Sequence, residues 1–242
     1  MPPSPAPPSP LPLIDVIIPA HNEARSIGPV LRDIPWNWVR EVIVVDNAST
    51  DDTATPARAG GATVLREDRP GYGYACLRGM AHCYARPPHQ QPDIIVFLDG
   101  DYSDYPEQLP ELVRPILDDG VDMVIGSRAL GQREPGAMLP QQIFGNWLAT
   151  TLLRRLYGAR FTDLGPFRAI RAEALRRLDM QDQTYGWTVE MQLKAAKQGL
   201  RCAEVPVRYR RRIGVSKVSG TVKGTLGAGY KILWTIFRYA RG

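Results

Sequence analysis

The sequence predicts an α/β fold: a mostly parallel sheet with helices on both faces, and an amphipathic helix at the C-terminal end. Three observations predict it. Short apolar or β-branched runs alternate with helical patterns through the first 126 residues. These runs are apolar throughout, which marks strands covered on both faces. Polar clusters follow directly on three of them, at the strand ends where open α/β sheets bind ligands.

Residues 13–18 run into Pro19 and read as a buried strand, and 23–33 read as a helix. Residues 41–45 (EVIVV) read as a second strand, 53–59 as a helix and 62–65 as a third strand. A helix over 74–85, a buried strand over 93–98 (DIIVFL), a helix over 107–117 and a strand over 121–125 follow. The second half is less regular. It predicts a helix over 138–157, a short strand over 167–170 leading into a helix over 171–178, and a helix over 189–197 stopped by Gly199. Residues 202–207 read as a last strand and 219–239 as an amphipathic helix. The first twelve residues include seven prolines, which cannot donate to a helix or a central strand, so 1–12 read as a disordered leader. The leader lacks the basic start and apolar centre of a signal peptide.

At 242 residues and 44% hydrophobic, the chain can bury a large core. No apolar run reaches about 18 residues, so no spanning helix is predicted. Cys76, Cys83 and Cys202 give no disulfide framework and no CxxC spacing, which favours a reducing compartment. The net charge of +5 conceals an asymmetry. The last 42 residues hold ten of the 30 Lys and Arg and one of the 25 acids, Glu204, for a net of +9; the first 200 carry −4. A uniformly basic nucleic-acid coat is not built that way, whereas a basic tail facing an anionic partner is.

Pro19-Ala20-His21-Asn22-Glu23 follows the first strand, Asp46-Asn47-Ala48-Ser49-Thr50-Asp51-Asp52 the second, and Asp99-Gly100-Asp101 the fourth. Each cluster alone reads equally well as a helix cap or an Asx-turn; three at three strand ends point to a site. Two carboxylates bracketing a glycine suit a hard divalent cation, with positions left for diphosphate oxygens. Gly100 lets a ligand approach the backbone. There is no GxxxxGKS/T loop, no GxGxxG opening the first helix and no GxSxG elbow, which excludes P-loop, dinucleotide and serine-hydrolase chemistry. His21, His82 and His89 make no metal-ligand spacing.

PAHNE at 19–23, VVDNASTDDT at 44–53, the glycine loop at 71–73, LDGDYSDYPE at 98–107 and GSR at 126–128 together resemble glycosyltransferase family 2. TDLGPFRAIR at 162–171 and RRIGVSK at 211–217 resemble its dolichyl-phosphate mannosyltransferase and polyprenyl-phosphate glycosyltransferase branch. The resemblance covers residues 13–217 and implies the GT-A (Rossmann-like) fold, with a nucleoside-diphosphate sugar, UDP- or GDP-linked, as donor. It places Pro19, His21, Glu23, Val44 and Asp46 against the nucleotide; the branch more often carries Tyr where this chain has His21. Asp99 and Asp101 would hold Mg²⁺ or Mn²⁺ on the diphosphate, with Gly100 between them, and Arg128 would contact a donor or acceptor phosphate. Arg211 and Lys217 would lie on a loop closing over the diphosphate, and the spacing leaves Arg212 as the alternative to Arg211. Asp101, Arg128 and Glu190 are the implied catalytic set. Glu190 stands where many members carry an acid near the acceptor; base, acceptor-orienting group and helix-surface carboxylate all stay open. Asp163 is open between site residue and turn cap.

A hydroxyl acceptor needs a base, whereas a phosphate acceptor is already ionised. The leading expectation is an inverting, metal-dependent transfer to a polyprenyl phosphate by a protein attached peripherally to the cytoplasmic face of a membrane. In the 219–242 segment Tyr230, Leu233, Trp234 and Phe237 interleave with Lys231 and Arg238, as a helix packed on the core or one lying in a bilayer interface would have them. The alternatives are a family 2 enzyme acting on a soluble or hydroxyl acceptor with Glu190 as base, a nucleotidyltransferase, and a membrane-bound nucleotide-sugar sensor. PAHNEARS lacks the glycine-rich basic loop of a nucleotidyltransferase.

Overall fold

The computed structural model describes residues 12–214 and 222–240. The leader over 1–11 and Lys217 lie outside them. Seven strands form one sheet in the order β3-β2-β1-β4-β6-β5-β7. They are β1 (Ile14–Ala20), β2 (Glu41–Asn47), β3 (Thr63–Glu67), β4 (Ile94–Phe97), β5 (Met123–Ser127), β6 (Arg168–Arg171) and β7 (Cys202–Pro206). The helices are α1 (Ile27–Asp33), α2 (Ala54–Ala59), α3 (Tyr72–Tyr84), α4 (Leu109–Asp118), α5 (Pro140–Tyr157), α6 (Ala172–Leu178), α7 (Trp187–Lys197) and α8 (Val222–Ala240).

The all-apolar strands are explained by two cores, one on each face. Side chains alternate along a strand. Val16 and Ile18 of β1, Val42 and Val44 of β2 and Val96 of β4 enter one core with α1 and α4. Ile17, Ile43, Val45, Ile95 and Phe97 enter the other with α3, α6 and α7. A third, smaller core joins α5, α7 and α8 through Leu153, Val189, Leu193 and Ile236. One face of the tail helix is therefore packed, as the first of the two sequence readings has it.

β1 pairs in parallel with β2 and β4, and β5 with β7. β6 is inserted antiparallel between β4 and β5. The carboxyl ends of the parallel strands share one edge, and β6 brings its amino end to that edge: Arg168 pairs with Phe97, two residues before Asp99. Chain reversals there are tight. Asn22, Ala48 and Tyr102, each just beyond β1, β2 or β4, have φ of 57°, 53° and 65°, conformations that non-glycine residues adopt at a cost and that cluster at functional sites. The turn at Asn22 corrects the expected start of the first helix from residue 23 to Ile27.

After β7 the chain crosses the site edge between two segments. Arg210 N–H donates to the Ser103 carbonyl at 2.9 Å and Ile213 N–H to the Asp101 carbonyl at 3.0 Å; on the other side Tyr209 N–H donates to the Gln132 carbonyl at 2.9 Å. Gly131 permits this approach, since a Cβ there would lie 1.9 Å from the Val207 carbonyl oxygen. Two glycine-to-alanine changes should therefore differ in sign. Gly131→Ala sets a methyl against backbone and should cost roughly 1–3 kcal/mol or more. Gly145→Ala, inside α5 with nothing within 4 Å, should gain up to about 1 kcal/mol from helix propensity. Urea unfolding of the two variants checks both.

Candidate functional site

The β1 and β2 ends are knitted into one surface. His21 Nδ1 lies 2.6 Å from the Asn47 carbonyl oxygen, Asn22 N–H donates to Ser49 Oγ at 3.0 Å, and Glu23 N–H donates to Thr53 Oγ1 at 2.9 Å. Burial works against the charge of Asp46, yet hydrogen bonds from Ser49 and Arg66 outweigh it and hold the carboxyl below its ordinary range. Asn47 donates to the Arg69 carbonyl and accepts from Gly71 N–H, both at 2.8 Å, and so fixes the glycine loop. Pro19, His21, Glu23 and Asp46 thus come together at one edge. Val44 is fully buried in the core, two residues back along β2.

The β4 end concentrates negative charge. Asp101 and Asp104 are 4% and 1% exposed. Asp99 Oδ1 and both carboxylate oxygens of Asp104 are buried without a hydrogen-bond partner. Burial, and then the neighbouring Asp101 charge, push the Asp99 carboxyl well up; burial and Asp99 do the same to Asp104. Asp101 Oδ1 accepts from Ser103 N–H at 2.8 Å, and Asp101 Oδ2 meets Arg212 Nη2 at 2.6 Å. The basic residue at the aspartates is therefore Arg212. Arg211 turns away, its N–H donating to Glu134 and its Nε to the Pro135 carbonyl at 2.7 Å. A Cβ on Gly100 would meet Ile18, Pro19 and Ala20 at 3.4–3.5 Å, ordinary contact, so packing does not itself demand glycine there.

These residues fit a divalent cation. The donors are carboxylate oxygens, one of them a buried orphan, and a guanidinium already occupies a cation's place on Asp101. Among the described residues no group of three or more His, Cys, Asp or Glu forms a cage. Asp99 and Asp101 would supply two ligands and leave the rest to bound oxygens, the arrangement Mg²⁺-type ions accept.

Arg128 is held rather than free. Asp163 takes its Nε at 2.8 Å, its Nη2 at 2.7 Å and its backbone N–H at 2.7 Å, and the guanidinium lies over the Tyr209 ring. Asp163 is itself fixed through its backbone: its N–H and that of Thr162 donate to Glu204, and Gln192 donates to its carbonyl. Arg168, fully buried, donates to the Leu164, Gly165 and Thr188 carbonyls, and burial lowers its pKa to about 10. Sequence reasoning missed Asp104, Arg168, Tyr209 and Glu204 as site residues. Asp104 and Arg168 lie inside quoted motifs, and Glu204 is the one acid of the basic tail.

Glu190, on α7, is engaged by a full set of partners. It accepts from the N–H groups of Gln181 and Asp182, from Tyr239 Oη at 2.9 Å and from Lys194 Nζ at 2.8 Å. That network ties α7 to α8 and to the loop before it.

Residues 15–179 match the family description "Glycosyl transferase family 2". The chain belongs to glycosyltransferase family 2. It is 33% identical to the undecaprenyl-phosphate mannosyltransferase of Micrococcus luteus, over 86% of this chain and 88% of that one. It is 33% identical to the dolichyl-phosphate hexose transferase of Haloferax volcanii, over 84% and 85%. The crystal structure of glucosyl-3-phosphoglycerate synthase from Mycobacterium tuberculosis with Mn²⁺, UDP and phosphoglyceric acid superposes with a TM-score of 0.74 at 25% identity, covering 95% of this chain and 78% of that one. The fold is GT-A, and the family 2 chain is a glycosyltransferase.

Two outcomes follow for the site. Asp163→Asn leaves the buried Arg128 guanidinium half-paired and should cost roughly 3 kcal/mol at neutral pH. Burial opposes the Asp163 charge but Arg128 overrides it, so the carboxyl titrates below its ordinary 3.8. Its contribution is then complete above about pH 4 and lost as pH falls through the lower folded value. The stability gap between wild type and variant should narrow on acidification below pH 4; a pH-independent gap would assign the loss to packing. Arg212→Ala removes the competing cation and should tighten Mn²⁺ binding to the nucleotide-free protein roughly tenfold by titration calorimetry.

Proposed function

We propose that this glycosyltransferase moves a sugar, with inversion, from a nucleoside-diphosphate sugar to a polyprenyl phosphate at the cytoplasmic face of a membrane. The GT-A domain over 13–217 does the chemistry, and the 218–242 segment provides peripheral attachment. The observation that carries the acceptor reading is the outer face of α8. Tyr230, Trp234 and Phe237 are 70%, 40% and 48% exposed. Arg238 lies 4.9 Å from the Trp234 ring, while Lys231 on the same ring is paired with Asp182. Aromatic rings beside cations suit the headgroup region of an anionic leaflet. No helix of the described residues is long and apolar enough to cross a membrane. Two relatives are named for undecaprenyl and dolichyl phosphate.

The base or ribose lies on the His21–Asp46 surface and the diphosphate at the β4 end. Bound Mg²⁺ or Mn²⁺, held by Asp99 and Asp101, would neutralise the leaving diphosphate. Arg212 adds positive charge beside Asp101; the same role read from the sequence for Lys217 falls outside the described residues. Arg128, fixed by Asp163 before any ligand arrives, presents a preorganised cation to a phosphate, which costs no reorganisation during reaction. The bond from the anomeric carbon to the diphosphate oxygen breaks as an acceptor phosphate oxygen bonds to the opposite face. An ionised phosphate has no proton to lose, so no base is required. That agrees with a Glu190 engaged by four donors.

A small phosphorylated acceptor is the second reading, favoured by the phosphoglyceric acid in the neighbouring synthase structure. Transfer is measured with labelled UDP- and GDP-sugars and Mn²⁺ against polyprenyl phosphate, polyprenol and 3-phosphoglycerate. Product should form with polyprenyl phosphate and fall by about 10²–10³ in Asp101→Ala. Turnover of phosphoglycerate with none of the lipid phosphate would replace the first reading with the second.

A further inference from the structure

A polar stripe on α8 leads back to the donor edge. Lys231, Thr235 and Tyr239 recur every four residues and so lie along one side of the helix. Lys231 Nζ meets Asp182 Oδ2 at 3.0 Å, and Tyr239 Oη donates to Glu190 at 2.9 Å. Thr235 lies against Gly186, where a Cβ would stand 2.7 Å from its hydroxyl oxygen. The two carboxylates hold the loop between α6 and α7. Asp182 Oδ1 accepts from the N–H groups of Thr184 at 2.8 Å and Gly186 at 3.1 Å. Glu190 accepts from those of Gln181 and Asp182. The same loop is pressed on the glycine loop. The Gln183 carbonyl accepts from Tyr74 N–H at 3.0 Å, and Tyr74 Oη donates to Gln183 Oε1 at 2.7 Å. A Cβ on Gly71 or Gly73 would clash with the Gln183 or Asp182 carbonyl. Gly71 N–H in turn bonds Asn47, whose carbonyl meets His21.

We propose that Asp182 and Glu190 are positioning residues for the nucleotide donor: they hold the 181–186 loop against the glycine loop, and through Lys231 and Tyr239 they make that hold depend on the seating of α8. The proposal rests on the donor reading above and adds what fixes the glycine loop at the donor edge. Gly71 and Gly73 admit the carbonyls of Gln183 and Asp182, and they leave a segment with high backbone freedom that needs a hold from outside. The 181–186 loop supplies it. Apolar contacts of the third core already dock α8, so docking alone does not require two carboxylates beneath it. A buried carboxylate is costly unless it is paired. The Asp182 side chain is 6% exposed, and the cation on it comes from α8. Glu190 has Lys194 of its own helix and takes its hydroxyl partner from α8. Without Lys231, Asp182 stays buried beside Glu190 with its charge unmatched. Opening of the loop toward water relieves that charge and withdraws the backing of Gly71 and Gly73.

The test is titration calorimetry of UDP and GDP with Mn²⁺, without acceptor or lipid, so that membrane attachment does not enter. Relative to wild type, the nucleotide that binds should weaken about tenfold or more in Asp182→Ala, about three- to tenfold in Lys231→Met and about threefold in Tyr239→Phe. Lys231→Arg keeps the cation and should stay within about twofold of wild type. In turnover, Lys231→Met and Glu190→Gln should raise the donor KM and leave kcat at saturating donor nearly unchanged. Amide hydrogen exchange over residues 69–76 should quicken in Lys231→Met. Leu153→Ala, a third-core change outside this network, should lower the melting temperature and leave nucleotide affinity at the wild-type value, which separates positioning from general loosening. Unchanged nucleotide affinity in Lys231→Met and in folded Asp182→Ala overturns the proposal and leaves the donor reading standing. A fall in kcat at unchanged donor KM in Glu190→Gln overturns the positioning role of Glu190 and returns it to the base. A wild type that binds neither nucleotide overturns the donor reading and the proposal with it.

Discussion

Three carboxylates within one short stretch after β4 cannot all be charged in a desolvated site without cations close by. Asp99, Asp101 and Asp104 set that constraint, and their surroundings answer it in part. Arg212 is laid on Asp101 by the strand-like run after β7. Arg128 stands in the field of Asp99 and Asp104, but its charge is largely balanced by Asp163. What is left over is a buried Asp99 oxygen and an unpartnered Asp104 carboxyl. A site with residual negative charge at one end and a fixed guanidinium beside it is built for a ligand that is itself divided, a cation bound to an anion. A metal–diphosphate is such a ligand.

The Arg212 contact has a consequence for order. A guanidinium on Asp101 is a weaker, softer substitute for a hard cation, and the two compete for one oxygen. A metal held by Asp99 and Asp101 would compete with Arg212 for that oxygen, and the diphosphate it carries would offer the guanidinium another anionic partner. Ile213 N–H bonds the Asp101 carbonyl, so Asp101 holds the run after β7 through its backbone as well as through its side chain.

The parallel half of the fold and its polar strand ends were legible because both depend on local sequence. A strand buried on two faces must be apolar at every position, and the residues after it must turn. The antiparallel β6 was not legible as such, because residues 168–171 carry no mark of their direction or of their place between β4 and β5. Arg168 was missed for that reason: only the inserted strand brings it to the edge. Val44 lies on the same face of β2 as Asp46 but two residues back from the strand end, where that face is covered by the core. Arg211 and Arg212 are adjacent and chemically identical. Only the register of the run against residues 101–105 decides which one faces Asp101.

The same run changes the meaning of the basic tail. Much of its +9 is spent inside the molecule. Arg208 meets Glu107 at 3.1 Å, Arg212 meets Asp101 at 2.6 Å and Lys231 meets Asp182 at 3.0 Å. Arg210 lies 3.9 Å from Asp33 and donates to the Tyr102 and Asp104 carbonyls. The acidic body and basic tail are therefore two parts of one internal ion-pairing scheme, in which the run after β7 is drawn back over the carboxyl end of the sheet. A membrane attraction cannot be computed from the net charge of the tail. For attachment of the kind proposed it has to come from cations that the body does not use and that stand beside exposed rings, as Arg238 does next to Trp234 on α8, a helix that packs against α5 and α7 through the third core.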